Sequence, residues 1–274
     1  MIKTKWFIVF GLLPILQTGF SQGLTDGFMK AKGDGTLAFT YSHERAETYF
    51  FGEQEQYINL TTRSLSAYLA WGISDKFNLV ASLPYMRNDS LNSALQDATV
   101  ALKYQNGQKT LVNGRLKTLT ILGFQFPASK YPTTTAQPIG ARNNSFIFRF
   151  LTQYESNQGF FAHFQTGFDF RIFPEQQFGI PVIFRAGYGT SHWYVDAWID
   201  YFQSLDNSAD VRVFGGGGSR WVKTGGTVYV PIGRKFGVFG GGAYILSGRN
   251  IAKSWRLNAG LLWNWEKTDP TVKP

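Results

Sequence analysis

Trp193-Tyr194-Val195-Asp196-Ala197-Trp198-Ile199-Asp200-Tyr201 sorts its residues onto two faces. Trp193, Val195, Ala197, Ile199 and Tyr201 share one; Tyr194, Asp196, Trp198 and Asp200 share the other. Successive side chains of a strand point to opposite faces, so a period of two marks a strand between two environments. Working outward, the same alternation returns in 160–171, where Phe160, Ala162, Phe164, Thr166, Phe168 and Phe170 oppose Phe161, His163, Gln165, Gly167, Asp169 and Arg171. It recurs in 144–155, 179–189 and 252–266.

Reading every such block predicts strands over 35–44, 60–73, 77–87, 96–104, 115–126, 144–155, 159–171, 179–189, 192–203, 218–230, 235–246 and 252–266, about 12 in all. Short turns separate some of them, at 74–76, 155–158, 190–191 and 231–234, and 105–114 carries Asn-Gly twice, a turn signal. Long links fall between, at 45–59, 88–95, 127–143, 172–178 and 204–217. An even strand count with short turns at one rim and long links at the other is the layout of an antiparallel outer-membrane β-barrel. A soluble sandwich has no reason to obey that parity. The fold class expected is therefore all-β, a transmembrane barrel of about 12 strands behind an N-terminal signal peptide.

Composition agrees. Of 274 residues, 43% are hydrophobic and 17% aromatic, only 16% are charged, and 30 are Gly. That profile excludes intrinsic disorder and favours β structure. The absence of Cys excludes a disulfide scaffold, a thiolate metal site and a cysteine nucleophile. Lys3 and Lys5 precede the apolar run 6–16, and Gly19 and Ser21 supply a small-residue exit. This is the pattern of a secretory signal cut after Ser21, too short for the ~20 residues that span a bilayer. The expected organisation is signal peptide 1–21, periplasmic N-terminal segment 22–34, barrel 35–266 and periplasmic tail 267–274. Trp71, Tyr85, Tyr104, Tyr154, Tyr188, Trp193, Tyr201, Trp255 and Trp265 fall near strand ends on the apolar face, where barrels carry aromatic girdles.

Gly72-Ile73-Ser74-Asp75-Lys76-Phe77-Asn78-Leu79-Val80-Ala81-Ser82-Leu83-Pro84-Tyr85 resembles a recurring hairpin of the phenol-degradation-pathway outer-membrane proteins. The next elements, 95–104 and 122–127, are also similar, with Gln96-Asp97 where the family has Gly-Asp, and Pro127-Ala128-Ser129 where it has Pro-Thr-Gly. The resemblance covers residues 65–130 and marks turns and strand ends. It implies an outer-membrane barrel that transports small aromatic or other apolar compounds.

The polar face of the strands is the barrel lumen, and the chemistry belongs there. Its candidate lining residues are Arg149, His163, Asp169, Arg171, Arg185, Asp196, Trp198, Asp200 and Arg256, joined by Lys103, Glu266, Gln153, Gln165, Asn258 and Asn264. Asp196 and Asp200 share a face, with Arg185 on the next strand in reach of pairing. Charges of both signs in a narrow barrel pair into a plug or line a polar path. Phe161, Trp198, Phe239 and Leu262 on the same face suit an apolar ligand.

Catalysis finds little support. The histidines are His43, His163 and His192; Ser42-His43-Glu44 places neighbours on opposite faces, and Asp169 is about 20 Å along the strand from His163. No catalytic residue, metal site or cofactor is assigned, since spacings such as His-x-x-x-His are absent. Gly215–Gly218 and 237–242 lack the Gly-Lys-Ser/Thr ending of a phosphate loop. A basic pI near 9.6 rests on scattered residues, so nucleic acid is not an expected partner. Expected partners are outer-membrane lipid, lipopolysaccharide near Lys130, Arg142, Arg171, Arg212 and Arg220, the barrel-assembly machinery during biogenesis, and a small apolar ligand. The expected function is a passive channel for small apolar or aromatic molecules, partly gated by links 127–143 and 204–217, in the outer membrane of a Gram-negative bacterium. Two alternatives stay open: a non-transporting structural or adhesive barrel, and a lipid-acting enzyme.

Overall fold

The computed structural model describes residues 26–52, 54–88, 92–133, 139–140, 142–174, 176–205 and 218–266. The signal segment 1–21, residues 22–25, Arg212 with most of link 204–217, and the tail 267–274 lie outside the described residues.

Among the described residues thirteen strands follow in chain order: β1 (Gly35–Phe51), β2 (Gln54–Gly72), β3 (Phe77–Asn88), β4 (Ser93–Leu95), β5 (Asp97–Leu111), β6 (Gly114–Pro127), β7 (Asn144–Ser156), β8 (Phe160–Phe173), β9 (Gln177–Gly189), β10 (Tyr194–Ser204), β11 (Arg220–Ile232), β12 (Phe236–Arg249) and β13 (Ile251–Trp265). All pair antiparallel, and β1 pairs with β13, which closes the sheet. The short β4 and the long β5 both run beside β3, separated by Gln96, so they form one wall strand in two pieces and the wall has twelve. Pro84 on β3 faces that interruption. It has no N–H for the ladder, and its carbonyl accepts the Gln96 N–H at 2.8 Å.

The outer surface explains why these residues fold this way. Phe39, Leu65, Leu122, Phe164, Phe184, Ile199, Val228, Leu257 and Leu261 are all exposed and all point outward. A continuous apolar exterior of this kind is the lipid-facing band of a membrane barrel, since water would drive it into association. Apart from the short β4, strands of 11 to 19 residues reach or exceed the ~9–11 that cross a bilayer. At the short-turn rim the girdle is ordered by ring contacts: Phe77–Tyr104 at 4.7 Å, Tyr188–Trp193 at 5.2 Å and Trp263–Trp265 at 5.4 Å. Tyr85, Tyr201 and Trp255 stand toward the other rim.

Two of the links expected to be long are strands instead. Residues 45–59 extend β1 and β2, which reverse at Gly52 with φ +61°, and residues 172–178 belong mostly to β8 and β9. The β12–β13 reversal is also tight, at Asn250. In 45–59 a register shift between Ala46 and Thr48 breaks the period of the apolar positions, and charged residues fall between them; the paired backbone ladder carries the strand through. The long links are therefore those after β3, β6 and β10, all at one rim.

Candidate functional site

The lumen divides into a filled half and a hollow half. At the short-turn end the chain preceding β1 turns inward. Gly33, with φ +91°, makes the reversal, its N–H donating to Gly72 O at 2.7 Å while Gly72 N–H donates to Asp34 O at 2.9 Å. A side chain at position 72 would strike the Ala31 carbonyl at 2.0 Å, so the segment lies directly on the wall there. Residues 26–34, read from the sequence only as a stretch ahead of the barrel, cross the inside of this end.

The crossing is anchored on several strands. Lys30 N–H donates to Asn78 Oδ1 at 2.7 Å, and Asn78 Nδ2 returns a bond to Lys30 O at 2.9 Å. Lys103 Nζ donates to Asp26 Oδ1 at 2.7 Å and to Phe28 O at 2.8 Å. Phe28 meets Phe161 edge-on at 5.2 Å and packs on a cluster of Ala38, Phe161, Tyr194, Tyr229, Phe239 and Leu262. Met29 packs on Ala101, Leu119, Ile121 and Leu151. These inward-facing apolar residues are thus covered by the protein's own chain, as hydrophobic burial requires. Burial holds the Lys30 amine down to about 8, against an opposing pull from Asp26. Nearby, Glu155 accepts from Arg115, Lys117 and Gln153.

Above this floor is a cavity of about 380 Å³. Thr40, Ser42, Ser66 and Ser82 give one wall small hydroxyl groups, with Asn258 and Arg256 on the adjoining β13, while Arg185, Trp198, Asp200 and Lys223 on β9–β11 bring charge and one indole. Tyr68, Phe239 and Leu262 also line it, and they belong to the cluster that holds Phe28. These side chains therefore separate the cavity from the segment.

Ion pairs arrange the candidate residues. Arg149 Nη2 donates to Asp169 at 2.9 Å, with its Nη1 on Phe148 O and Phe168 O. Asp200 pairs with Lys223 at 3.0 Å, and Arg256 donates through Nε and Nη2 to Glu44. Arg185 faces Asp196 at 3.8 Å, while Tyr194 OH donates to Asp196 at 2.6 Å. His163 is fully buried, in register with Gln153 on one side and Arg185 on the other. Arg171 is buried inside the far rim, an orientation that does not fit a headgroup contact. Asp200 thus turns to Lys223 and not to Arg185. Lys223 sits at a register shift between β11 and β12, in a glycine-rich stretch that hides its face. Glu44 falls where the first strand was expected to end, and Asp26 in a stretch too short to show a period.

The histidines are scattered. His43 points outward against Trp255 at 5.5 Å while Ser42 lines the cavity, and His192 contacts Ser191 Oγ at 3.0 Å in an exposed short turn. Among the described residues no three His, Asp or Glu side chains gather as a metal site. At the far rim, Tyr131 OH donates to Asp97 at 2.6 Å and accepts the Arg142 N–H at 2.8 Å, tying the described part of link 128–143 to the start of β5. Burial and the Asp97 carboxylate push the Tyr131 phenol up.

No family model matches the chain, and no curated protein matches it in sequence. Solved structures do match in fold. An outer-membrane channel from Pseudomonas putida F1 superposes with a TM-score of 0.69 at 13% identity, covering 88% of this chain and 99% of that one. The NanC porin gives 0.53 at 8% identity over 83% of this chain and 98% of its own. The KdgM porin gives 0.52 at 7% identity over 84% and 99%. These likenesses show the fold, an outer-membrane-type β-barrel.

Proposed function

We propose that the protein is a passive channel of the Gram-negative outer membrane, with its long links outside and both chain ends in the periplasm. One observation carries the reading: a closed, lipid-faced wall encloses a cavity of about 380 Å³ whose inner end is formed by Tyr68, Phe239 and Leu262, side chains of the cluster that Phe28 of segment 26–34 packs against. A segment held by hydrogen bonds, one buried ion pair and the packing of Phe28 and Met29 can leave without breaking the strand ladder. Solutes then move down their gradient once it withdraws, and the lining sets selectivity. Twelve strands suit a narrow path, between the eight that only enclose side chains and the 16–18 that leave a wide pore. The resemblance over 65–130 to the phenol-degradation-pathway family, and Trp198 on the cavity wall, favour small aromatic or apolar solutes. Membrane lipid contacts the outer belt; lipopolysaccharide is assigned to exposed basic residues of the outer rim, and the barrel-assembly machinery to biogenesis.

The fully packed floor favours a second reading, a sealed structural barrel. Liposome swelling separates the two. The channel reading expects slow swelling with the intact chain and fast swelling once residues 26–34 are deleted. No swelling with either, in protein that keeps heat-modifiable barrel migration, would leave the sealed barrel.

A further inference from the structure

Arg185 and Trp198 are direct partners across the β9–β10 pair, so their side chains stand together on the cavity wall. Trp198 lies over Gly225, where a Cβ would come within 2.3 Å of the ring, and Lys223 Nζ is 5.7 Å from the indole centroid. The glycine lets the ring lie back against the wall and turn its free face inward.

Arg185 is 94% buried, being 6% exposed, yet its Nε and Nη1 donate to nothing in the protein. The nearest carboxylate, Asp196, stands 3.8 Å from Nε and is already engaged by Tyr194. Arg149 and Arg256 differ, since each is held by hydrogen bonds to a carboxylate. The other groups facing this point are His163, whose ring nitrogens have no protein partner, and the Asp200–Lys223 pair. A buried guanidinium with unengaged donors is poised to accept an anion such as a carboxylate through charge-assisted hydrogen bonds. An indole beside it offers a flat apolar face to whatever that carboxylate is attached to. The cavity lies within the roughly 300–1,000 Å³ usual for ligand pockets.

We infer that Arg185 and Trp198 form a binding subsite for a small aromatic carboxylate, its carboxylate on the guanidinium and its ring on the indole, with Lys223 as a second cation beside the ring. The inference rests on the channel reading and narrows it from apolar solutes in general to aromatic acids.

The test is calorimetric titration of the full chain in detergent with benzoate, benzyl alcohol and acetate. Variants are Arg185→Gln, Arg185→Lys and Trp198→Leu, each checked for heat-modifiable migration. Benzoate is expected to bind at least tenfold more tightly than either analogue. Arg185→Gln should abolish that preference, Arg185→Lys should recover only part of it, and Trp198→Leu should bring benzoate down to the level of acetate. Equal binding of benzoate and benzyl alcohol, no binding of benzoate, or unchanged preference in a folded Arg185 or Trp198 variant would overturn the subsite. Swelling measurements keep the two claims apart. Solute flux without benzoate preference ends the subsite and leaves the channel, whereas benzoate preference without flux in the deletion variant ends the channel and leaves the subsite.

Discussion

The two halves of the lumen are built from the same strands with the same period, yet one is filled and the other hollow. In the short-turn half, Phe161, Tyr194, Leu119 and Leu151 face inward and find Phe28 and Met29 of the chain's own N-terminal stretch. In the long-link half, inward positions carry Ser, Thr, Asp, Lys and Arg, which pair with one another around the cavity. The difference teaches that alternation decides only which residues face inward. Whether they meet a covering segment or a solute is decided by what those residues are.

The largest effect should come from Phe28, which joins the segment to the floor. Phe28→Asp places a carboxylate among Phe161, Tyr194 and Phe239, and should free the segment while the barrel stays folded. Bilayer recordings should then show open steps several times larger than those of the parent; unchanged steps would mean that the floor is closed by the wall. Next is the buried pair Lys103–Asp26. Lys103→Met strands Asp26 and the Phe28 carbonyl, and removal of one partner of a buried pair costs ~3–5 kcal/mol. Amide exchange at 28–34 should accelerate accordingly, and adding Asp26→Asn should restore most of the protection. A double variant as unprotected as the single one would remove the pair from the account.

A smaller, pH-linked effect comes from Lys30. With its amine held down to about 8 in the docked state and near 10.5 when released, the docked segment binds fewer protons across that window. Docking therefore tightens as pH rises from about 8 toward 10.5 and is weakest below 8. Open probability should be higher at pH 7 than at pH 9.5, and Lys30→Met should flatten the dependence; the opposite slope would contradict the burial. The smallest effect belongs to the hollow half. Arg256 is half exposed where it meets Glu44, and such pairs contribute ~0–1 kcal/mol. Arg256→Gln should barely move the urea midpoint, and a loss as large as that from Lys103→Met would erase the contrast between the halves.

The fold was legible because its signal is repeated in every wall strand. Apolar residues on alternate positions, as in 193–201, also gave the inward face, and Arg149, His163, Asp169, Arg185, Asp196, Trp198, Asp200 and Arg256 were read from it. What escaped was whatever lacked a period. Residues 45–59 carry a register shift between Ala46 and Thr48, which breaks the parity of their apolar positions while the backbone ladder continues. Lys223 lies at a register shift beside Gly225 and Gly226, where parity is hard to follow. Pairing was legible only where partners share adjacent strands: Arg185 with Asp196 could be anticipated, but Lys103 with Asp26 depends on a chain path that no local pattern encodes.

The most direct measurement uses the absence of Cys from the chain. A Cβ at Gly27 lies 2.7 Å from Gln153 Cβ, and a disulfide needs about 3.5–4.5 Å, a shift of roughly 1 Å. The double variant Gly27→Cys/Gln153→Cys, recorded in one bilayer before and after reductant, switches the segment between fixed and free. The account predicts small or no solute-permeable steps when oxidised and enlarged steps on reduction, with the single variants indifferent to reductant. Equal conductance in both states would contradict the claim that residues 26–34 close this barrel.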